Sequence, residues 1–212
     1  LYCLENYAEK NSNEIQSKDI RVETISEKEL KQISTLVTPN EVLALVEIPE
    51  KDLQKQDLTR GIKIILDDIR DPGNLGTMIR LADWFGIEQI ICSNETVDLY
   101  NPKVVQSTMG SIARVNVFYE DLQKLLGDFK GRAKIYGSRM DGENIYTASL
   151  DSNAFVIIGN EANGISGSLE PFIDRFVSIP AFKEGAESLN ASLAAAIIVS
   201  EFHRNRFQPN KT

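Results

Sequence analysis

From Ile62 onward, short continuous apolar runs alternate with segments whose apolar residues recur every three or four positions. The runs are Ile62–Leu66, Ile87–Cys92, Arg114–Phe118, Ala133–Gly137, Phe155–Gly159 and Arg175–Ile179. Strands apolar on both faces need cover on both, so the pattern predicts an α/β fold: a mostly parallel sheet with helices on both faces. The intervening segments predict helices over Leu75–Phe85, Pro102–Thr108, Asp121–Leu126, Ser168–Ile173 and Leu189 to about Arg206. In the first, Leu75, Met78, Ile79, Ala82 and Phe85 make one apolar stripe, and Arg80 lies off it, free to face a cleft or solvent. The last is rich in alanine, which permits close packing in a core or at a subunit interface.

The first 60 residues read differently. Ile20–Ile25 alternates as a strand does, Ser26 and Glu29 have capping-box spacing, and Val42–Ile48 is a second strand candidate. The expectation is a small α/β appendage and linker over 1–55, with the linker centred on the charged stretch Pro49–Thr59, and a main domain over 56–212. Leu1 stands where an initiator methionine is absent, so the appendage is expected to be incomplete at its front.

Composition narrows the function classes. The net charge is −8, and neither half is basic: residues 1–60 carry 8 basic and 12 acidic side chains, residues 61–212 carry 15 and 19. Nucleic-acid contact must therefore come from a local patch, for which Arg70, Arg80, Arg114, Arg132 and Arg139 are candidates. Cys3 and Cys92 have no second Cys or His at metal-ligand spacing, so neither a disulfide framework nor a zinc site is expected. No apolar run reaches the roughly 20 residues of a membrane span and no signal peptide is evident, which makes the cytoplasm the default address.

In a parallel α/β sheet, ligands bind beyond the carboxyl ends of the strands, which singles out three turns. The first, Asp67-Asp68-Ile69-Arg70-Asp71-Pro72-Gly73-Asn74-Leu75-Gly76, leads into the helix carrying Arg80. Asn74 there can cap the helix, or its turn can receive an anion. The acidic trio Asp67, Asp68 and Asp71 reads as turn and cap residues rather than as a metal cage. The second, Gly159-Asn160-Glu161-Ala162-Asn163-Gly164, sets a carboxylate between glycines, as either a ligand contact or a solvated turn. The third runs from Ile179-Pro180 to Ser188-Leu189-Asn190-Ala191-Ser192, where Ser188 and Asn190 suit a helix cap or the orientation of a polar substrate. Neither a dinucleotide fingerprint nor a P-loop is present. His203, the sole histidine, has no nucleophile elbow to serve and reads as a surface residue.

Taken in order, the three turns resemble the successive motifs of the SpoU, or TrmH-type, branch of the SPOUT RNA methyltransferases, over about residues 60–206. The resemblance implies a C-terminal deep trefoil knot, an exception to the rule against threaded chains. It also implies S-adenosylmethionine as cofactor, a ribose 2′-hydroxyl of ribosomal or transfer RNA as acceptor, and a homodimer. By similarity, Gly137, Ser138, Gly159, Ile179 and Leu189 would surround the cofactor. Asn74, Arg80, Glu161, Ser188 and Asn190 would serve catalysis and substrate placement, and the first 60 residues would end an L30-like RNA-binding domain. A non-catalytic RNA- or ribosome-binding module with the same fold is the alternative, and it would be expected to lose Arg80, Glu161 or Asn190. This chain departs from the family pattern in having seven residues, Ala181–Glu187, before Ser188, where about six are usual. The family's proposed base is Arg80, but a guanidinium is always protonated, so Arg80 is read here as a phosphate ligand that acidifies the neighbouring hydroxyl.

Overall fold

A computed structural model describes residues 1–18, 20–49, 52, 53, 57–182 and 188–204. The chain divides into two compact units, Leu1–Glu50 and Lys51–Thr212. The first unit contains β1 (Tyr2–Cys3), α1 (Glu5–Lys10), α2 (Ser12–Ser17), β2 (Glu23–Thr24), α3 (Glu27–Ile33) and β3 (Val42–Leu43). β1 lies between a parallel β2 and an antiparallel β3. α3 begins at the expected capping box, with Ser26 Oγ accepting from the Glu29 amide and the Glu29 carboxylate accepting from the Ser26 amide. The two strands expected here shrink to two residues each. Beyond Leu43, the side chains of Leu45, Val46 and Ile48 face solvent, so the apolar alternation has no sheet face to bury against.

The second unit is built on β4 (Ile62–Leu66), β5 (Gln89–Cys92), β6 (Asn116–Tyr119), β7 (Lys134–Asn144), β8 (Ala154–Ile158) and β9 (Arg175–Ser178), in the order β6-β5-β4-β8-β7-β9. Every pairing in this sheet is parallel. Alternate residues feed two separate cores, as the period-2 geometry of a strand requires. Ile64, Leu66, Ile90, Cys92, Val156 and Ile158 face one core, which includes Leu75, Met78, Ile79, Ile198 and Phe202. Ile65, Ile91, Phe118, Ile135, Phe155 and Ile157 face the other, which includes Leu122 and Leu126.

The first core is closed by α4 (Pro72–Phe85), α5 (Pro102–Ser107) and α7 (Ala191–Arg204), and the second by α6 (Leu122–Phe129). α4 starts three residues before the expected Leu75, because the Asp71 carboxylate accepts the Asn74 amide at 2.8 Å and Pro72 fits the first turn. Asp71 is thus the cap, and Asn74 lies inside the helix. α4 ends at Gly86, whose φ of 66° needs glycine. The helix expected over Ser168–Ile173 is only a 3₁₀ turn, Glu170–Phe172, with Pro171 interrupting it. The end expected for the last helix near Arg206 lies outside the described residues.

β7 is longer than its expected apolar run. Both Ser138 and Glu143 are register partners of Val177, and residues 139–142 intervene between the two pairings. At Gly142 an added Cβ would fall 2.7 Å from the Val177 carbonyl carbon, so only glycine lets the two backbones pass this close. Among the described residues, no helix is long and apolar enough to cross a membrane.

Candidate active site

The sheet order reverses between β4 and β8, so the segments leaving these neighbours at their carboxyl ends meet in the crevice beyond. Asn74 lies on the first turn of α4 and Glu161 lies three residues past the end of β8. The Asn74 Nδ2 amide donates to Glu161 Oε1. Asn190 Nδ2 in turn donates to Asn74 Oδ1 at 2.9 Å, and Asn190 Oδ1 accepts from the amides of Ser192 (3.0 Å) and Leu193 (3.2 Å) and from the Ser192 hydroxyl (2.6 Å). The three turns thus join in one line of hydrogen bonds.

The direction of that line is set by chemistry. Backbone N–H groups at the start of α7 can only donate, so they fix Asn190 Oδ1 toward the helix and its amino group toward Asn74. Asn74 must then present its oxygen to Asn190 and its own amino group to the carboxylate. Asn74 is buried, whereas Glu161 and Asn190 are exposed. The Asn190 cap anticipated from the sequence is therefore also a link in the site.

Two of the expected site residues stand outside this line. Arg80 lies six residues beyond Asn74, about 240° around the helix, and is exposed, with no hydrogen bond or ion pair to another described residue. Ser188 is exposed and likewise bonds to no described residue. The remaining positions lie on the same sheet edge. Gly137 and Ser138 are in β7, with Gly137 paired to Ile157 and Phe176. Gly159 and Ile179 directly follow β8 and β9, and Leu189 precedes α7. Gly137 has no room for a Cβ, which would fall 2.8 Å from the Phe176 ring, and at Gly159 one would fall 2.3 Å from the Gly164 carbonyl carbon. The 183–187 part of the divergent loop lies outside the described residues.

The acidic residues after β4 hold this edge together. Beyond their expected place in the turn, Asp67 Oδ2 accepts the Ser166 amide at 2.7 Å, and the Asp68 carbonyl accepts Asn160 Nδ2 at 2.8 Å. The only sequence signal for them was their place just after β4. His203, expected at the surface, is buried, with Nδ1 2.8 Å from the Val199 carbonyl and its ring 5.1 Å from Phe85. The arginine patch is also mostly committed elsewhere. Arg70 pairs with Asp68 at 2.7 Å, Arg114 with Asp83 at 2.6 Å, and Arg139 with Asp141 at 2.5 Å, while Arg132 lies 5.0 Å over the Phe129 ring. The Asp68 carboxylate raises the Arg70 pKa, and hydrogen bonds from Arg114 and then Ser111 lower that of Asp83. A cavity of about 380 Å³ lies at the opposite, amino edge of the sheet, lined by Arg60, Lys63, Gln89 and His203. It shares no residue with the three turns.

An all-parallel sheet with convergent polar turns and glycine-walled strand ends at its carboxyl edge is the architecture of an α/β enzyme that binds a nucleotide-like ligand. Comparison with known proteins narrows the class. Residues 61–200 match the model of the SpoU rRNA Methylase family. The chain is 32% identical over 177 residues to the 23S rRNA (guanosine(2553)-2′-O)-methyltransferase RlmP of Bacillus subtilis, covering 82% of this chain and 69% of that protein. It is 28% identical over 223 residues to the 23S rRNA (guanosine-2′-O-)-methyltransferase RlmB of Neisseria meningitidis, covering 100% and 89%. The crystal structure of the SpoU methyltransferase AviRb from Streptomyces viridochromogenes, in complex with AdoMet, superposes with a TM-score of 0.84 at 25% identity, covering 97% of this chain and 81% of that one. The chain belongs to the SpoU rRNA methylase family.

Proposed function

We infer that this chain is an RNA methyltransferase that moves a methyl group from S-adenosylmethionine to a ribose 2′-hydroxyl of ribosomal RNA. The observation that carries the reading is the line Asn190–Asn74–Glu161, which unites three segments spread over 116 residues. A non-catalytic RNA-binding module would have no need of it, and the named relatives are 2′-O-methyltransferases.

The residues present fit the cofactor. Gly137 and Gly159 let the strand ends pack directly against Phe176 and the Gly164 backbone, which shapes the edge, and Ile179 and Leu189 offer apolar surface for an adenosine. When bound, the cofactor supplies a methyl group already activated by its sulfonium. The protein's task is then to place the ribose oxygen and ease its deprotonation. Glu161, oriented by Asn74, accepts a hydrogen bond from the substrate, and Ser188 and Asn190 border its position. Arg80, with no partner among the described residues, binds the phosphate next to the target and lowers the pKa of the hydroxyl by its charge. The proton leaves to phosphate or water, because a guanidinium has no site to take it.

The same reading includes a trefoil knot, a homodimer, a cytoplasmic setting and an L30-like origin for the first unit. Membership of the SpoU family is what carries the knot. The dimer is supported by α4 and α7, which pack side by side yet leave Trp84 86% and Leu193 57% exposed. The test is cofactor titration by calorimetry followed by transfer of labelled methyl to unmodified 23S rRNA transcript, with the products digested to nucleosides. Saturable cofactor binding with label on a 2′-O-methylnucleoside is expected. Binding without transfer would favour the non-catalytic module, and label on a base would refute ribose specificity.

A further inference from the structure

We propose that Asp67 is a positioning residue that clamps the loop carrying Glu161, an inference that rests on the methyltransferase reading. Asp67 directly follows β4 and its side chain is buried, with the residue 4% exposed. Burying a carboxylate is costly unless it is hydrogen-bonded, so its partner shows what it does. That partner is the Ser166 amide at 2.7 Å, 99 residues further along the chain. Immediately beside it, the Asp68 backbone turns into the left-handed region, with φ 56°. Its carbonyl accepts from Asn160 Nδ2 at 2.8 Å.

Glu161 therefore lies between two anchors, Asn160 on one side and Ser166 on the other. The loop between them is closed on itself. Asn160 and Gly164 exchange two backbone hydrogen bonds, at 3.0 and 2.9 Å, and Asn160 Oδ1 accepts the amides of Ala162 (2.9 Å) and Asn163 (3.1 Å). With the loop pinned at both flanks, the Glu161 carboxylate is presented to Asn74. Without Asp67, the Ser166 amide loses its acceptor and Glu161 is freed from one side. A displacement of about 1 Å at a reacting centre costs on the order of 100-fold in rate.

The experiment uses the whole chain with S-adenosylmethionine and unmodified 23S rRNA transcript, resolving kcat from both KM values. Asp67→Ala is expected to lower kcat by about 10–100-fold while each KM stays within about threefold. Asp67→Asn keeps an acceptor oxygen of the same shape and is expected to restore kcat to within about threefold of the parent. Asn160→Asp tests the other flank from a half-buried loop position, in case Asp67→Ala does not fold. It sets a carboxylate oxygen against the Asp68 carbonyl and is expected to lower kcat similarly. In a Glu161→Gln background, Asp67→Ala should add little, because both changes act through one side chain. Full kcat in folded Asp67→Ala, or in Asn160→Asp where the former does not fold, overturns the clamp, as does additive loss in the double variant. A parent chain that binds cofactor but transfers no methyl would overturn the functional reading instead.

Discussion

Asn74 does two jobs with one amide group, accepting from Asn190 and donating to Glu161. Replacing it with Asp removes the donor and sets two carboxylates face to face. Removing one preorganised donor from a reacting centre typically costs about 100- to 1,000-fold in kcat, so Asn74→Asp should fall in that range in a methyl-transfer assay with cofactor affinity nearly unchanged. In the proposed mechanism, Arg80 makes a different kind of contribution. A lysine there keeps the charge but loses the planar fork that grips phosphate through two hydrogen bonds. Arg80→Lys is expected to lower both methylation and RNA affinity by at least about tenfold, and near-normal values for both would refute the phosphate role. The residue types at these positions were legible in the sequence. Their partners were not, because a cap and a link between distant turns look identical until the 115 residues between Asn74 and Asn190 are folded.

At the scale of elements, α4 is held at both ends and along one side. Gly76 faces α5, where an added Cβ would come within 2.3 Å of the Ser107 Cβ. Gly76→Val should therefore force the helices apart and destabilise the unit by about 1–3 kcal/mol, read as a fall in Tm of about 2–4 °C per kcal/mol in a chain of this length. On the outer side of α4, Asp83 accepts from Arg114 and from Ser111 Oγ, at 2.6 and 2.7 Å, tying the helix to the turn before β6. The Asp83 pKa is lowered in the folded chain, first by the Arg114 hydrogen bond. Its contribution is accordingly complete above the ordinary value near 3.8 and fades as pH falls through the lower folded value. Between pH 7 and pH 2, the Tm gap between the parent and Asp83→Asn should close in that acidic window; a gap constant to pH 2 would contradict it. The alternating runs made the strands easy to read. Pro171, inside the expected helix over Ser168–Ile173, was a sequence signal for its loss, whereas the missing sheet face beyond Leu43, which shortens the strands, is a tertiary fact.

For the whole molecule, the net charge is −8, and of the five arginines expected to form a local patch, Arg70, Arg114 and Arg139 are ion-paired, which leaves Arg80 and Arg132 without an ion pair among the described residues. RNA binding should weaken with salt, but with a log–log slope no steeper than about −3. A flat dependence would remove the phosphate contact of Arg80, and a much steeper one would require an additional basic surface. If α4 and α7 form the interface of a homodimer, a carboxylate at the exposed Trp84 should split it. Sedimentation of Trp84→Glu is expected to show monomer at concentrations where the parent chain sediments as a dimer. What the sequence by itself determined was the α/β class, the position of the sheet and the three turns that matter, since periodicity and turn chemistry act over a few residues. Only the tertiary structure decided that Asp71 and not Asn74 caps α4, that Asp67 and Asp68 hold the Glu161 loop, and that His203 is buried. Each depends on which segments become neighbours, and the strand order, with β8 beside β4 and β7 beside β9, brings together residues far apart in the chain.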